Sequence, residues 1–132
     1  MRRLLVALLT MLSVAALAPR ARAAAAEAVS FETTDGFVLH ADLWRAADAN
    51  APVAILLHQF NQDRRSWGPL VPALSDAGFT VLALDQRGQG ESTERKTPQG
   101  ASSLHLRELP RDQVGAFVRA GTADVAAAVA FL

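Results

Sequence analysis

The chain has 132 residues, with 13 Lys and Arg against 13 Asp and Glu and no cysteine. Balanced charge without a long basic run argues against a nucleic-acid backbone as partner, and the absence of cysteine excludes a disulfide scaffold. With 51% hydrophobic residues, the chain must rely on one buried core, and its length suits one small domain.

The N-terminus has the pattern of a secretory signal. Arg2 and Arg3 precede an apolar run, Leu4 to Ala18, and Pro19 ends it. Ala21-Arg22-Ala23 then supplies small residues at the two positions that define a cleavage site. The run is shorter than the roughly 20 residues a membrane span needs. Cleavage after Ala23 is expected, with Ala25 and Ala28 as alternative ends and a retained anchor as the competing reading. Cleavage leaves residues 24–132 as the domain. Four basic residues and no acidic ones leave with the signal, so the mature chain carries a net charge of −4. The expected location is periplasmic or secreted, with no stable membrane span after cleavage.

Beyond the alanine-rich start, Val29 to Thr33 has strand composition. Thr34-Asp35-Gly36 is a turn signal. Phe37 to Trp44 alternates, with Phe37, Leu39, Ala41 and Leu43 on one face. These segments predict an antiparallel hairpin. Val53 to Leu57 is apolar throughout, as in a strand covered on both faces of a parallel sheet, and Thr80 to Leu84 has the same character. Between them Trp67, Leu70, Val71 and Leu74 form one helical stripe. Ser66 is the expected N-cap, Gly78 the expected stop, and Pro72 the expected kink. Arg64-Arg65 is expected on a solvated loop or helix start. Strand, helix, strand makes a βαβ unit. The fold class is therefore α/β, a hairpin plus a βαβ unit in a mainly parallel sheet.

Gln86 to Pro110 is polar and glycine-rich, which predicts a long surface excursion. Val114, Phe117 and Val118 predict a short helix. A final helix is expected to be capped by Thr122, with Asp124 favourable near its positive end and a stripe of Val125, Ala128, Val129 and Leu132.

Two loops follow the two apolar strands, and they carry a resemblance. His58-Gln59-Phe60-Asn61 stands after the first, and Asp85-Gln86-Arg87-Gly88-Gln89-Gly90-Glu91-Ser92 after the second. Together with the Trp67 helix they are similar to the α/β-hydrolase fold family, in its serine esterase or serine-aminopeptidase-like branch. The resemblance runs from Val29 to Leu132, the N-terminal portion of that fold. It implies that His58, Gln59 and Phe60 form an oxyanion-hole loop, with the Phe60 N–H as one donor. Gln59 departs from the family's usual Gly, so this loop is expected to take another conformation or carry strain. The resemblance also implies a structural turn at Asp85, Arg87, Gly88, Gly90 and Ser92, which match the family's D-x-R-G-x-G-x-S spacing.

The same resemblance implies hydrolysis of esters, amides or peptides through a serine in G-x-S-x-G. Ser30, Ser66, Ser75, Ser92, Ser102 and Ser103 all lack that setting. No catalytic residue is therefore assigned within the chain, which is expected to be an inactive fragment ending before the nucleophile strand. The substrate implied for the parent is a small-molecule ester or amide, or a peptide.

No cofactor and no metal are expected. The three histidines lack ligand spacing, and Gly88-x-Gly90 lacks the third glycine of a dinucleotide loop, position 93 being Thr. His58 is expected to shape its loop through backbone hydrogen bonds, and His40 to sit on the polar face of its strand. The family's sheet order leaves Val53–Leu57 as an open edge. A non-catalytic assembly module that self-associates through that edge is the alternative function.

Overall fold

The computed structural model describes residues 25–132. The signal assigned to residues 1–23 lies outside them.

β1 (Glu27–Glu32) and β2 (Val38–Trp44) pair antiparallel, with Glu27 opposite Leu43 and Glu32 opposite Val38. β1 begins inside the alanine-rich start, because the backbone of Ala28 pairs with Asp42. The alternation in β2 places its apolar side as expected: Phe37, Leu39, Ala41 and Leu43 are all buried. His40, between two of them, is half-buried rather than fully solvated.

β3 (Val53–Leu57) and β4 (Thr80–Leu84) pair parallel, Val53 opposite Thr80 and Leu57 opposite Leu84. The sheet order is β1-β2-β4-β3, with β2 and β4 antiparallel. One of its three pairings is thus parallel. Lying between β2 and β3, β4 has Val81, Leu82, Ala83 and Leu84 at 0% exposure. Burying a side chain such as Leu82 contributes about 1.5–3 kcal/mol. β3 is the open edge strand that the sheet order was expected to leave, and it lacks the two-sided burial that its composition suggests: Val53 and Leu57 are 46% and 38% exposed. Composition measures a strand's apolarity, whereas burial depends on what lies beside and above it.

The β3–β4 connection is not one kinked helix. A 3-10 turn, Arg64–Trp67, is followed by a short helix α1 (Val71–Asp76). Asp63 caps the turn, its carboxylate accepting from the Arg65 N–H at 2.9 Å, while the Ser66 hydroxyl donates to Asp63 O. Pro72 stands in the first turn of α1, where no amide hydrogen bond is lost, so it starts this helix instead of bending it. Gly78, at φ 86°, ends it as expected.

The polar stretch after β4 contains a hairpin that its sequence did not announce, β5 (Glu94–Thr97) and β6 (Gly100–Ser103). Its residues are almost all exposed, so no apolar alternation marks them. The hairpin is fastened by the Lys96 N–H, which donates to Gly36 O at 2.8 Å.

Two helices close the described chain, α2 (Arg111–Ala120) and α3 (Thr122–Phe131). Thr122 does not cap α3; its hydroxyl donates back to Arg119 O. The buried face of α3 carries Asp124 and Ala128, with Ala127 and Phe131 packed beside the core. Val129 and Leu132, expected on that face, are 62% and 42% exposed. Two contacts set this rotation. Asp124 binds Arg87, and Phe131 stacks on Phe31 with ring centroids 4.8 Å apart. The stretch Arg111–Phe131 is long and apolar enough to cross a membrane by length and composition; the two contacts attach its second half, α3, to β1 and to the turn after β4.

Candidate functional site: two loops at one end of a parallel pair

Because β3 and β4 run side by side in the same direction, the loops that follow them leave from the same end of the sheet. The segment 58–61 and the turn 85–92 therefore face each other.

His58 is buried, and both ring nitrogens are engaged. The Gln86 N–H lies 3.2 Å from Nε2, and Nδ1 lies 2.8 Å from Gln59 O. A backbone N–H only donates, so Nε2 accepts and the proton resides on Nδ1. This is the loop-shaping arrangement expected of His58, and it leaves neither nitrogen free for proton transfer.

Gln59 is not strained in the way its substitution for glycine suggests. Among the described non-glycine residues only Asn61 has positive φ, at 61°. The loop places its left-handed residue two positions later, on a residue type that tolerates it. A bond from the Gln62 N–H to Gln59 O, 3.0 Å, closes the turn. Phe60 lies inside it. The residue is 55% exposed, and no described residue accepts a hydrogen bond from its N–H.

The turn 85–92 is held from within and from outside. Asp85 accepts from the N–H groups of Arg64 (2.7 Å) and Glu91 (2.9 Å), and also pairs with the Arg64 guanidinium. The Gly88 N–H donates to Ser92 O at 2.7 Å. Ser92 is fully buried, and its hydroxyl accepts from the His40 N–H at 2.8 Å. That hydroxyl braces the turn and has no access to a substrate. Gly90 sits directly against the Asp85 carboxylate.

Arg87 joins three parts of the chain. Its Nε donates to Asp124 Oδ1 at 2.7 Å, and its N–H to Asp124 Oδ2 at 3.0 Å. Its two terminal nitrogens fork onto Asp35 at 2.7 and 3.0 Å. Burial works against the charge of Arg87, but its bonds to Asp35 and Asp124 outweigh this and hold it above its usual range. The bond from Arg87 holds the Asp35 carboxyl below its ordinary value. Burial pushes the deeper Asp124 upward against the pull of Arg87.

Arg64 corrects an expectation. Its side chain is only 13% exposed, and it reaches Asp42 (3.1 Å), Asp85 and Glu91 (2.8 Å). Its neighbour Arg65 is the solvated member of the pair, at 82%.

Between the loops and α2 lies a cavity of about 140 Å³, lined by His58, Phe60, Gln86, Phe117 and Val118, with Asp124 at its base. Ser103 Oγ and His105 Nε2 stand 3.4 Å apart, an exposed pair in which neither residue lines this cavity. No group of three His, Asp or Glu among the described residues is placed to hold a metal.

A family model described as the alpha/beta hydrolase fold matches residues 52–131, from just before β3 to the end of α3. The chain belongs to the α/β-hydrolase fold family.

Its relatives are more specific than the fold. Over 70 residues the chain is 43% identical to epoxide hydrolase A of Mycobacterium tuberculosis, covering 53% of this chain and 21% of that protein. Epoxide hydrolase B of the same organism is 36% identical over 80 residues, covering 61% of this chain and 22% of its own length. The crystal structure of epoxide hydrolase A from Mycobacterium thermoresistibile aligns with a TM-score of 0.51 at 28% identity, over 80% of this chain and 27% of that one. The chain thus spans about a fifth to a quarter of the length of these three relatives.

Within this α/β-hydrolase wall, sequence reasoning named the specified residues of both loops and missed their partners. Asp124 was visible only as an acid near a helix start, and Asp35 only as a turn residue. Gln86 and Gln89 fill unspecified positions of the motif. A buried arginine needs carboxylates, and that need is the one signal pointing from Arg87 toward distant acids.

Proposed function

We propose that this chain forms the oxyanion-loop wall of a small-molecule hydrolase, with the Phe60 N–H donating to an oxygen that gains negative charge during the reaction. One observation carries the reading: that N–H has no internal acceptor and belongs to a residue lining the cavity between the two loops. Donors aimed at developing charge are among the largest contributions to catalysis. The relatives' names favour an epoxide as substrate over the ester, amide or peptide implied by loop resemblance. A nucleophile, serine or other, would come from sequence outside these 132 residues, and the chain alone would be inactive. Export is proposed on the leader pattern; N-terminal sequencing of the purified product, expected to begin at Ala24, checks it.

The test uses an epoxide and a p-nitrophenyl ester with the 132-residue chain and with its complete reading frame. The complete protein is expected to open the epoxide, and the chain alone neither substrate. Phe60 occupies a turn position that accepts proline, so Phe60→Pro deletes the N–H and keeps the turn, while Phe60→Ala, which keeps the N–H, measures the loss of the ring. The proline variant is expected to lower kcat about 10²–10³-fold. An unchanged kcat would remove Phe60 from the mechanism, and turnover by the chain alone would place the nucleophile within it.

The exposed edge of β3 favours a second reading, an assembly module in which two copies pair along Val53–Leu57. Light scattering on the purified chain is expected to give a dimer or larger. A cooperative monomer rules this reading out.

A further inference from the structure

Resting on the hydrolase reading of this loop, we propose that Gln86 and Gln89 are positioning residues, a two-point clasp that sets where the Phe60 N–H points. The loop has little else to hold it. Gln59 and Phe60 are both exposed, so side-chain packing does not fix the segment, and its two internal bonds, from the Gln62 N–H and from His58 Nδ1, both end on Gln59 O and leave Phe60 and Asn61 unheld. The external fastenings come from the facing turn, one on each side of Gln59-Phe60. Before them, the Gln86 side chain donates to His58 O at 2.5 Å, and the Gln86 N–H donates to the His58 ring at 3.2 Å. After them, Gln89 Oε1 accepts from the Asn61 N–H at 2.8 Å. That second bond lands on the residue held at φ 61°, the conformation on which the turn depends.

The clasp is itself firmly based. Asp85, Arg87, Gly88, Gly90 and Ser92, the specified positions of the motif, are occupied in bracing their own turn against Arg64, Asp124 and β2. The unspecified positions 86 and 89 are the ones that face the oxyanion loop. Glu91, the third unspecified position, braces the turn through Asp85 and Arg64, which leaves the positioning to the two glutamines.

The two glutamines have opposite chemical duties. Gln86 must donate to a carbonyl, whereas Gln89 must accept from an amide. A glutamate therefore replaces Gln89 and fails at Gln86, where it would set a carboxylate against His58 O. Amide exchange and chemical shifts of Phe60 and Asn61, measured in the full-length chain, read the clasp without any turnover. Gln89→Leu is expected to speed Asn61 exchange about tenfold, the scale of one hydrogen bond. Gln89→Glu should leave it at the wild-type rate, and Gln86→Glu should shift the Phe60 amide resonance. The β4 amides serve as the folding control and should not change. In the complete enzyme, Gln89→Leu and Gln86→Glu are expected to lower kcat about tenfold with KM within about twofold, while Gln89→Glu retains wild-type kcat. The clasp is overturned if Gln89→Leu leaves Asn61 exchange unchanged, or if glutamate has the same effect at both positions. Turnover reports separately on the hydrolase reading. Exchange results as expected in a protein that hydrolyses neither substrate would overturn the function and leave the clasp standing.

Discussion

Asp124→Ala should destabilise the chain by about 3–5 kcal/mol, the range for breaking a buried ion pair from one side. The side chains of Arg87 and Asp124 are 3% and 2% exposed. Removing the carboxylate leaves the guanidinium Nε and the Arg87 N–H without protein acceptors beneath the surface. Against a usual total of about 5–15 kcal/mol, this is a large share. Asp35→Ala is the comparison. Asp35 is 37% exposed, so water replaces its carboxylate on the outer side of Arg87 while Asp124 still neutralises the inner side. Its cost should be about 1 kcal/mol, near that of an exposed pair. Urea midpoints of the two variants measure the difference. Equal losses would show that depth does not govern this network.

Gly90→Ala should cost about 3 kcal/mol or more, combining a backbone term and an overlap term. At φ 53° any side chain meets the left-handed penalty of about 1–2 kcal/mol. In addition, the new Cβ would overlap the Asp85 carboxylate, which cannot retreat without releasing Arg64 and Glu91. Gly78→Ala isolates the first term, because Gly78 also has positive φ, 86°, yet nothing lies within 4 Å of its Cβ position. A Gly90→Ala midpoint shifted no further than that of Gly78→Ala would mean that the turn absorbs the methyl group.

Both variants act on features that differed in how visible they were before the structure. The alternation of β2, the apolar runs of β3 and β4 and the stop at Gly78 are local patterns, and each appears where the pattern put it. The two loop motifs were legible for the same reason, since they follow strands whose parallel pairing brings loop ends together. The β5–β6 hairpin was not legible, because exposed polar strands carry no periodic apolar signal. The face of α3 was misjudged by its pattern: alanine and valine positions alone rotate the stripe toward Val129. The contacts of Asp124 with Arg87 and of Phe131 with Phe31 turn it back.

The amino-acid sequence by itself determined the four strands of the main sheet, the parallel unit and the residue types of both loops. These follow from spacing between neighbours and from the conformations that glycine, proline and asparagine permit. Only the tertiary structure decided the partners of each charge and the burial of each strand. It also decided that Gln86 bonds to His58 and Gln89 to Asn61. The physical reason is distance along the chain. Asp35, Arg87 and Asp124 are dozens of residues apart, and no local rule measures a hydrogen bond that forms only after the sheet has brought them together.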